Sequence, residues 1–253
     1  MRVLVTLAVD AEFAPWRKLR DLREIKVGEV TLFQAQVGRA LVDFVVTGMG
    51  AENATRIADL ALMQPYTICI ASGFAGALRA EYAVGAVLVA ESVQQLGKSK
   101  TLMGSRNLVS AASLDGAEMI KLLSSDHVVR TADEKAQLAP FAGAVDMESF
   151  AILVVAAARH VPAVAIRVVS DTSDGEIPAF VDAMLDEKGR INAGNAIRQV
   201  ARHPLQLPAL IRLGRDSRTA AEALAHFLEG FLKKLSLSSH GWPPPELQEV
   251  ASR

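Results

Sequence analysis

Hydrophobic residues make up 51% of the 253-residue chain, enough to fill the core of one large α/β domain or of two small ones. The 27 Lys and Arg nearly cancel the 28 Asp and Glu, so no excess of charge argues for nucleic acid or for an acidic partner. A single cysteine, Cys69, excludes an internal disulfide framework and suits a reducing cytoplasm, and no run of about twenty apolar residues lacks a charge, which argues against a transmembrane helix.

Segment 2–8 (RVLVTLA) reads as a buried strand, too short for the core of a signal peptide, with a helix near 11–20 after it. Segments 28–37 and 41–47 read as two strands turning at GRA, followed by a helix over 52–63 and a short buried strand at 67–71. A longer strand is expected over 83–95, and further strands at 126–130 and 163–169. Thr131 and Glu134 have the spacing of a capping box, which predicts a short helix starting there. The helix over about 147–159 is apolar on nearly every face and should be buried. Strands interleaved with helices predict a three-layer α/β/α fold around a central mixed sheet, with a main domain over 1–200. Residues 201–236 read as a helical C-terminal extension and 237–253, rich in proline, as a loose tail.

In such folds ligands gather beyond the carboxyl ends of the strands. Glu12 follows the first strand, and Ser170 and Asp171 follow AVAIRVV. Ser72, Gly73, Ala75 and Gly76 follow TICIA, and Thr47, Gly48 and Gly50 end another strand, small residues that let backbone approach a ligand. The segment AVDMESFA (144–151) sets Asp146 and Glu148 at the mouth of the most apolar helix, where an uncompensated carboxylate would be costly. Most have a plainer reading: Glu12 as a solvated first-turn residue favoured by the helix dipole, Asp171 as a helix cap or turn former, Asp146 as a helix cap; Glu148 is harder to dismiss. Cys69 reads as a small buried hydrophobe. TGMGAEN lacks the third glycine of a dinucleotide loop and the acidic residue about 20 positions on, which counts against a dinucleotide oxidoreductase. The five histidines are scattered, so neither a catalytic metal nor any other cofactor is expected.

Taken in order, ASGFAGAL, VGAVLVAE, AVDMESFA and IRVVSDTSD resemble the purine nucleoside phosphorylase and nucleosidase superfamily, over roughly residues 1–175. The branch with a clear mechanism is methylthioadenosine/S-adenosylhomocysteine nucleosidase. The resemblance implies that Glu12 activates the attacking water and that Asp171 donates a proton to purine N7, oriented by Ser170. It implies that Met147 packs on the ribose and that Glu148 accepts its 2′ and 3′ hydroxyls, with Ser72 and Gly73 beside the sugar. The chemistry asks for such a set. A purine anion leaves poorly unless protonated, and the ribose develops oxocarbenium character that nearby carboxylates stabilise.

Two features depart from the pattern. The segment HVVRTADEKAQLAPF offers no aromatic residue for stacking on the base except Phe141, a poor candidate. The glycine-arginine phosphate loop of the hexameric phosphorylases is missing after the first strand; Arg17 could still reach phosphate, but nothing requires it, and water is the favoured nucleophile. DHVVRTADEKAQL together with VDMES and LPALIRLGRDSRTA also resembles the hopanoid-associated phosphorylases, which implies adenine removal from a lipid-linked nucleoside, adenosylhopane. The family further implies a homo-oligomer.

In the extension, Ala220, Ala223, Leu224, Phe227, Leu228, Phe231 and Leu232 recur at helical spacing. That stripe packs on the domain or a neighbouring subunit. The alternative is an interfacial helix aided by Arg212, Arg215, Arg218, Lys233 and Lys234, giving a cytoplasmic protein with peripheral membrane contact. The function expected is purine nucleoside cleavage. Its competitors are a methylthioadenosine/S-adenosylhomocysteine nucleosidase in the strict sense and a nucleoside-binding module without catalysis.

Overall fold

The computed structural model describes residues 1–178, Arg198, Arg202 and 207–237. The expected boundary near 200 and the tail beyond Leu237 lie outside these residues. The chain runs β1 (Arg2–Leu7), α1 (Asp10–Phe13), α2 (Trp16–Leu19), β2 (Arg23–Val27), β3 (Val30–Val37), β4 (Ala40–Val46) and α3 (Ala51–Ala61). It continues with β5 (Ile68–Ala77), β6 (Val87–Gln95), β7 (Thr101–Met103), α4 (Arg106–Leu114), β8 (Glu118–Ser124) and α5 (Ala132–Leu138). The last described elements are β9 (Ala144–Asp146), α6 (Ser149–Ala158), β10 (Ala163–Asp171) and α7 (Leu207–Leu237).

The sheet is mixed, as the interleaved pattern requires. Its order is β10-β6-β8-β9-β5-β1-β4-β3-β2, with β7 on β6. β10 also pairs β5 in parallel, so β10, β6, β8, β9 and β5 close into a ring from which the other strands extend. α3 and α6 cover one face; α1, α2, α4 and α7 cover the other. Strand alternation sorts the side chains between them. On β10, Val164, Ile166 and Val168 join the α7 core while Ala165 and Val169 join the α6 core. Arg167, between the last two, therefore points at the start of α6.

Several elements differ from the sequence expectation. The helix near 11–20 is two short helices separated at Pro15, which has no N–H to continue the first. The strand expected at 126–130 is irregular; the strand is β8, whose exposed Glu118, Met119 and Lys121 disguise a buried row of Ile120, Leu122 and Leu123. β2, β7, α4 and β9 were not expected. β2 is a charged, exposed edge strand, and β9 carries Asp146 on sheet, not helix. β5 runs on to Ala77 because its small residues still pair β10 as far as Gly76 and then β9. Thr131 caps α5 by accepting from Glu134 N–H at 3.2 Å, but the Glu134 side chain returns to Arg130 N–H, one residue earlier than in a capping box.

α7 is built into the fold. Leu224, Leu228, Phe231, Leu232 and Leu235 are each at most 6% exposed against the sheet, an apolar burial worth roughly 8–15 kcal/mol before entropy. This supports the packing reading of the stripe; the membrane-surface alternative keeps the basic residues but not this apolar face. No described helix is long and apolar enough to cross a membrane.

Candidate active site

The polar residues named above converge beyond β1, at the middle of β5 and at the ends of β9 and β10, in two adjacent groups. The first surrounds Glu12. Its Oε2 accepts from the N–H groups of Ala8 (2.6 Å) and Val9 (3.1 Å), and its Oε1 from Phe74 N–H (2.7 Å). This carboxylate is buried, not the solvated first-turn residue of the plainer reading. Burial raises its pKa, opposed by the Phe74 N–H and the Arg167 guanidinium.

Gly73 makes that approach possible. Its φ is +140°, and a Cβ there would stand 2.6 Å from Glu12 Oε1 and 2.7 Å from Arg167 Nη1. The carboxylate and the guanidinium thus meet over bare backbone. Next to Gly73, Ser72 Oγ is buried and finds no hydrogen-bond partner among the described residues, a hydroxyl available to a bound group.

Arg167 organises the rest of the group from the centre of β10. It pairs with Asp146 Oδ2 at 2.7 Å, donates to Ser149 Oγ at 2.8 and 3.0 Å and to the Ser72 carbonyl at 3.1 Å, and lies 3.9 Å from Glu148 Oε2. Asp146 also accepts from Ser124 Oγ (2.5 Å) and from Ser149 N–H (3.1 Å) at the start of α6. Asp146 is thus not the N-cap of α6, a position held by Glu148, but it accepts the first helical N–H and joins an ion pair. Glu148 Oε1 accepts from Gly50 N–H at 2.7 Å. Burial pushes the Glu148 carboxyl up to about 7, opposed chiefly by Arg167 and reinforced by Asp146 and Glu12. Met147, half-buried, lies between the two acids in the chain.

The second group holds Asp171. β10 slips register between Val169 and Asp171, a bulge that re-aims the end of the strand. Asp171 Oδ1 accepts from Ser170 Oγ at 2.9 Å, and Oδ2 accepts from the Lys135 ammonium at 2.6 Å. Gly76 leaves room for this, since a Cβ there would stand 2.9 Å from Asp171 Oδ2. Ser170, Asp171, Thr172 and Gly175 line an open cleft, and Arg212, Leu213 and Asp216 of α7 form its other wall. The C-terminal extension therefore borders the site.

The sequence reading missed Arg167 and Lys135. Arg167 left a signal, one charge in the apolar run AVAIRVV. Lys135 left none, because ADEKAQL reads as a solvated helix face. Phe141 is 66% exposed and does not line the cleft. Among the described residues no group of three His, Cys, Asp or Glu is placed to hold a metal ion.

Known proteins share this arrangement of elements. The futalosine hydrolase of Helicobacter pylori superposes with a TM-score of 0.72 over 92% of this chain and 98% of its own, at 18% identity. The 5′-methylthioadenosine/S-adenosylhomocysteine nucleosidase of Neisseria meningitidis, solved with methylthio-immucillin-A, gives 0.69 over 92% and 99%, at 19% identity. In sequence, nucleosidases of that name from Staphylococcus haemolyticus and Staphylococcus aureus are 25% and 27% identical, across 68% and 71% of this chain and 87% and 90% of theirs. Residues 2–121 and 121–203 match the model of one family, and with the fold and most of the length in agreement, the chain belongs to the phosphorylase superfamily.

Proposed function

We propose that this chain cleaves the N-glycosidic bond of a purine nucleoside, with a protonated base as the leaving group. The observation that carries the reading is the division of the site. One buried group brings Glu12, Glu148 and Arg167 together around Gly73, and an adjacent cleft is bordered by Asp171. A nucleoside has the same division, a cationic sugar in the transition state and a base that must take a proton.

In this reading Glu148 accepts the ribose 2′ and 3′ hydroxyls, which replace the hydration its buried carboxylate has lost, and Met147 packs on the sugar. Glu12 orients and activates the nucleophile beside Ser72 and Gly73. Arg167 keeps the clustered carboxylates from repelling one another as the sugar becomes cationic. Asp171, fixed by Ser170, delivers the proton to N7. Water is the nucleophile we favour: the charge next to Glu12 is already matched, and the relatives similar in sequence are nucleosidases by name. Adenine is the proposed base, and adenosylhopane, a lipid-linked adenosine, the proposed substrate.

Base release measured by mass spectrometry, with and without phosphate, tests this on methylthioadenosine, S-adenosylhomocysteine, adenosine, inosine and adenosylhopane. Release dependent on phosphate would replace water by phosphate, and no release from any of them would leave a nucleoside-binding module. Asp171→Asn is expected to lower turnover by at least tens-fold, in the range of general-acid contributions; an unchanged rate removes Asp171 from the mechanism.

A further inference from the structure

Lys135 is fully buried, at 0% exposure, and a buried ammonium is tolerated only with complete hydrogen bonding. It has that. Its three N–H bonds go to Asp171 Oδ2 at 2.6 Å, the Thr172 carbonyl at 2.7 Å and the Gly175 carbonyl at 3.0 Å. No donor is left for a substrate. The two carbonyls belong to the turn that forms one wall of the Asp171 cleft. Lys135 thus fastens the carboxylate and the cleft wall to one point on α5. With Ser170 on the other oxygen, both carboxylate oxygens have a fixed donor and the plane of the group is set.

We infer that Lys135 is the positioning residue for Asp171, holding its carboxyl at the base and balancing the negative charge that Asp171 and the leaving purine share. The inference rests on the glycosidic-cleavage reading above. Asp171 takes a proton from solvent through the open cleft. As the bond from C1′ to N9 breaks, its electron pair moves onto the purine, the proton passes from Asp171 to N7, and Asp171 ends as a carboxylate. From bond breaking onward, acid and base together carry one negative charge, and Lys135 is the adjacent cation. A purine already alkylated at N7 needs no proton and leaves as a neutral base, so its departure makes no such demand on Asp171 or on Lys135.

The experiment compares a purine nucleoside that the enzyme cleaves with its 7-methyl derivative, in the wild-type chain, Lys135→Met and Lys135→Gln. For the parent nucleoside, kcat should fall at least about tenfold with KM within about threefold. For the 7-methyl nucleoside kcat should fall by less than about threefold. Lys135→Gln keeps an N–H donor for the carbonyls and removes the charge, so it carries the test if the Met variant does not fold. Equal losses on the two substrates, or an unchanged kcat on the parent, overturn the inference while leaving the cleavage reading intact. A wild-type chain that releases base from neither substrate overturns the cleavage reading and this inference with it.

Discussion

Replacing Glu148 by Gln should make the free protein more stable at alkaline pH while weakening nucleoside binding. Burial raises the Glu148 carboxyl from an ordinary 4.5 to about 7, so the folded chain retains a proton that the unfolded chain has released. Between about pH 4.5 and 7 the folded state binds more protons, and stability falls as pH rises through that window. Each pH unit is worth about 1.4 kcal/mol, so the ionised Glu148 costs on the order of 3 kcal/mol above pH 7. Gln is neutral at every pH, and its amide oxygen can still accept from Gly50 N–H. Urea unfolding at pH 5.5, one unit into that window, should therefore find the variant ahead by only about 1.4 kcal/mol. At pH 8.5 the variant should gain about 3 kcal/mol, or roughly 5–10 °C in Tm. Nucleoside affinity should change the other way, falling by about 10–100-fold, because the charged acceptor for the sugar hydroxyls is lost. A stability difference that stays flat between pH 5.5 and 8.5, or a variant less stable at pH 8.5, would refute the assignment of Glu148 as a carboxylate held ready at a cost.

Gly73→Ala would drive a Cβ to within 2.6 Å of Glu12 and 2.7 Å of Arg167 at a backbone φ of +140°; a loss of at least about 2 kcal/mol in urea unfolding is expected, with turnover falling alongside, and a variant within twofold of wild type in both would show that the packing there is loose. Leu228→Ala, on the fully buried face of α7, should cost about 2–5 kcal/mol while leaving kcat at 25 °C within about twofold; a cost under about 1 kcal/mol would mean that α7 is not fixed in the core.

The layers and most strands were legible because buried strands announce themselves as apolar runs, and α6 as a helix apolar all round. Elements lost to view are those whose outer face is charged: the edge strand β2, and β8, whose exposed charges make it look less strand-like than the neighbouring HVVR. Short pieces such as β7 and β9 depend on partners distant in sequence, and no local pattern marks them. For the site, Glu148 was conspicuous because a carboxylate beside an apolar run needs a partner. The partner itself, Arg167, required the strand's facing to be known. Lys135 could not be read at all, since only the fold shows that its side of α5 meets the turn after β10 rather than water.

The last described helix also has a bearing on how the molecule comes to exist. Arg20, near the amino end, pairs with Glu229 of α7 across 209 positions, and Phe13 and Trp16 share a core with Leu228 and Phe231. During synthesis the first strand and its helices must wait for α7, some 200 positions on, to leave the ribosome before their outer face is covered. Contacts so distant in sequence make for slow folding, and the uncovered surface is a liability in the interval. A ribosome-stalled chain ending at residue 200 should therefore be captured by chaperones or cut by protease, and one extended past α7 far less so.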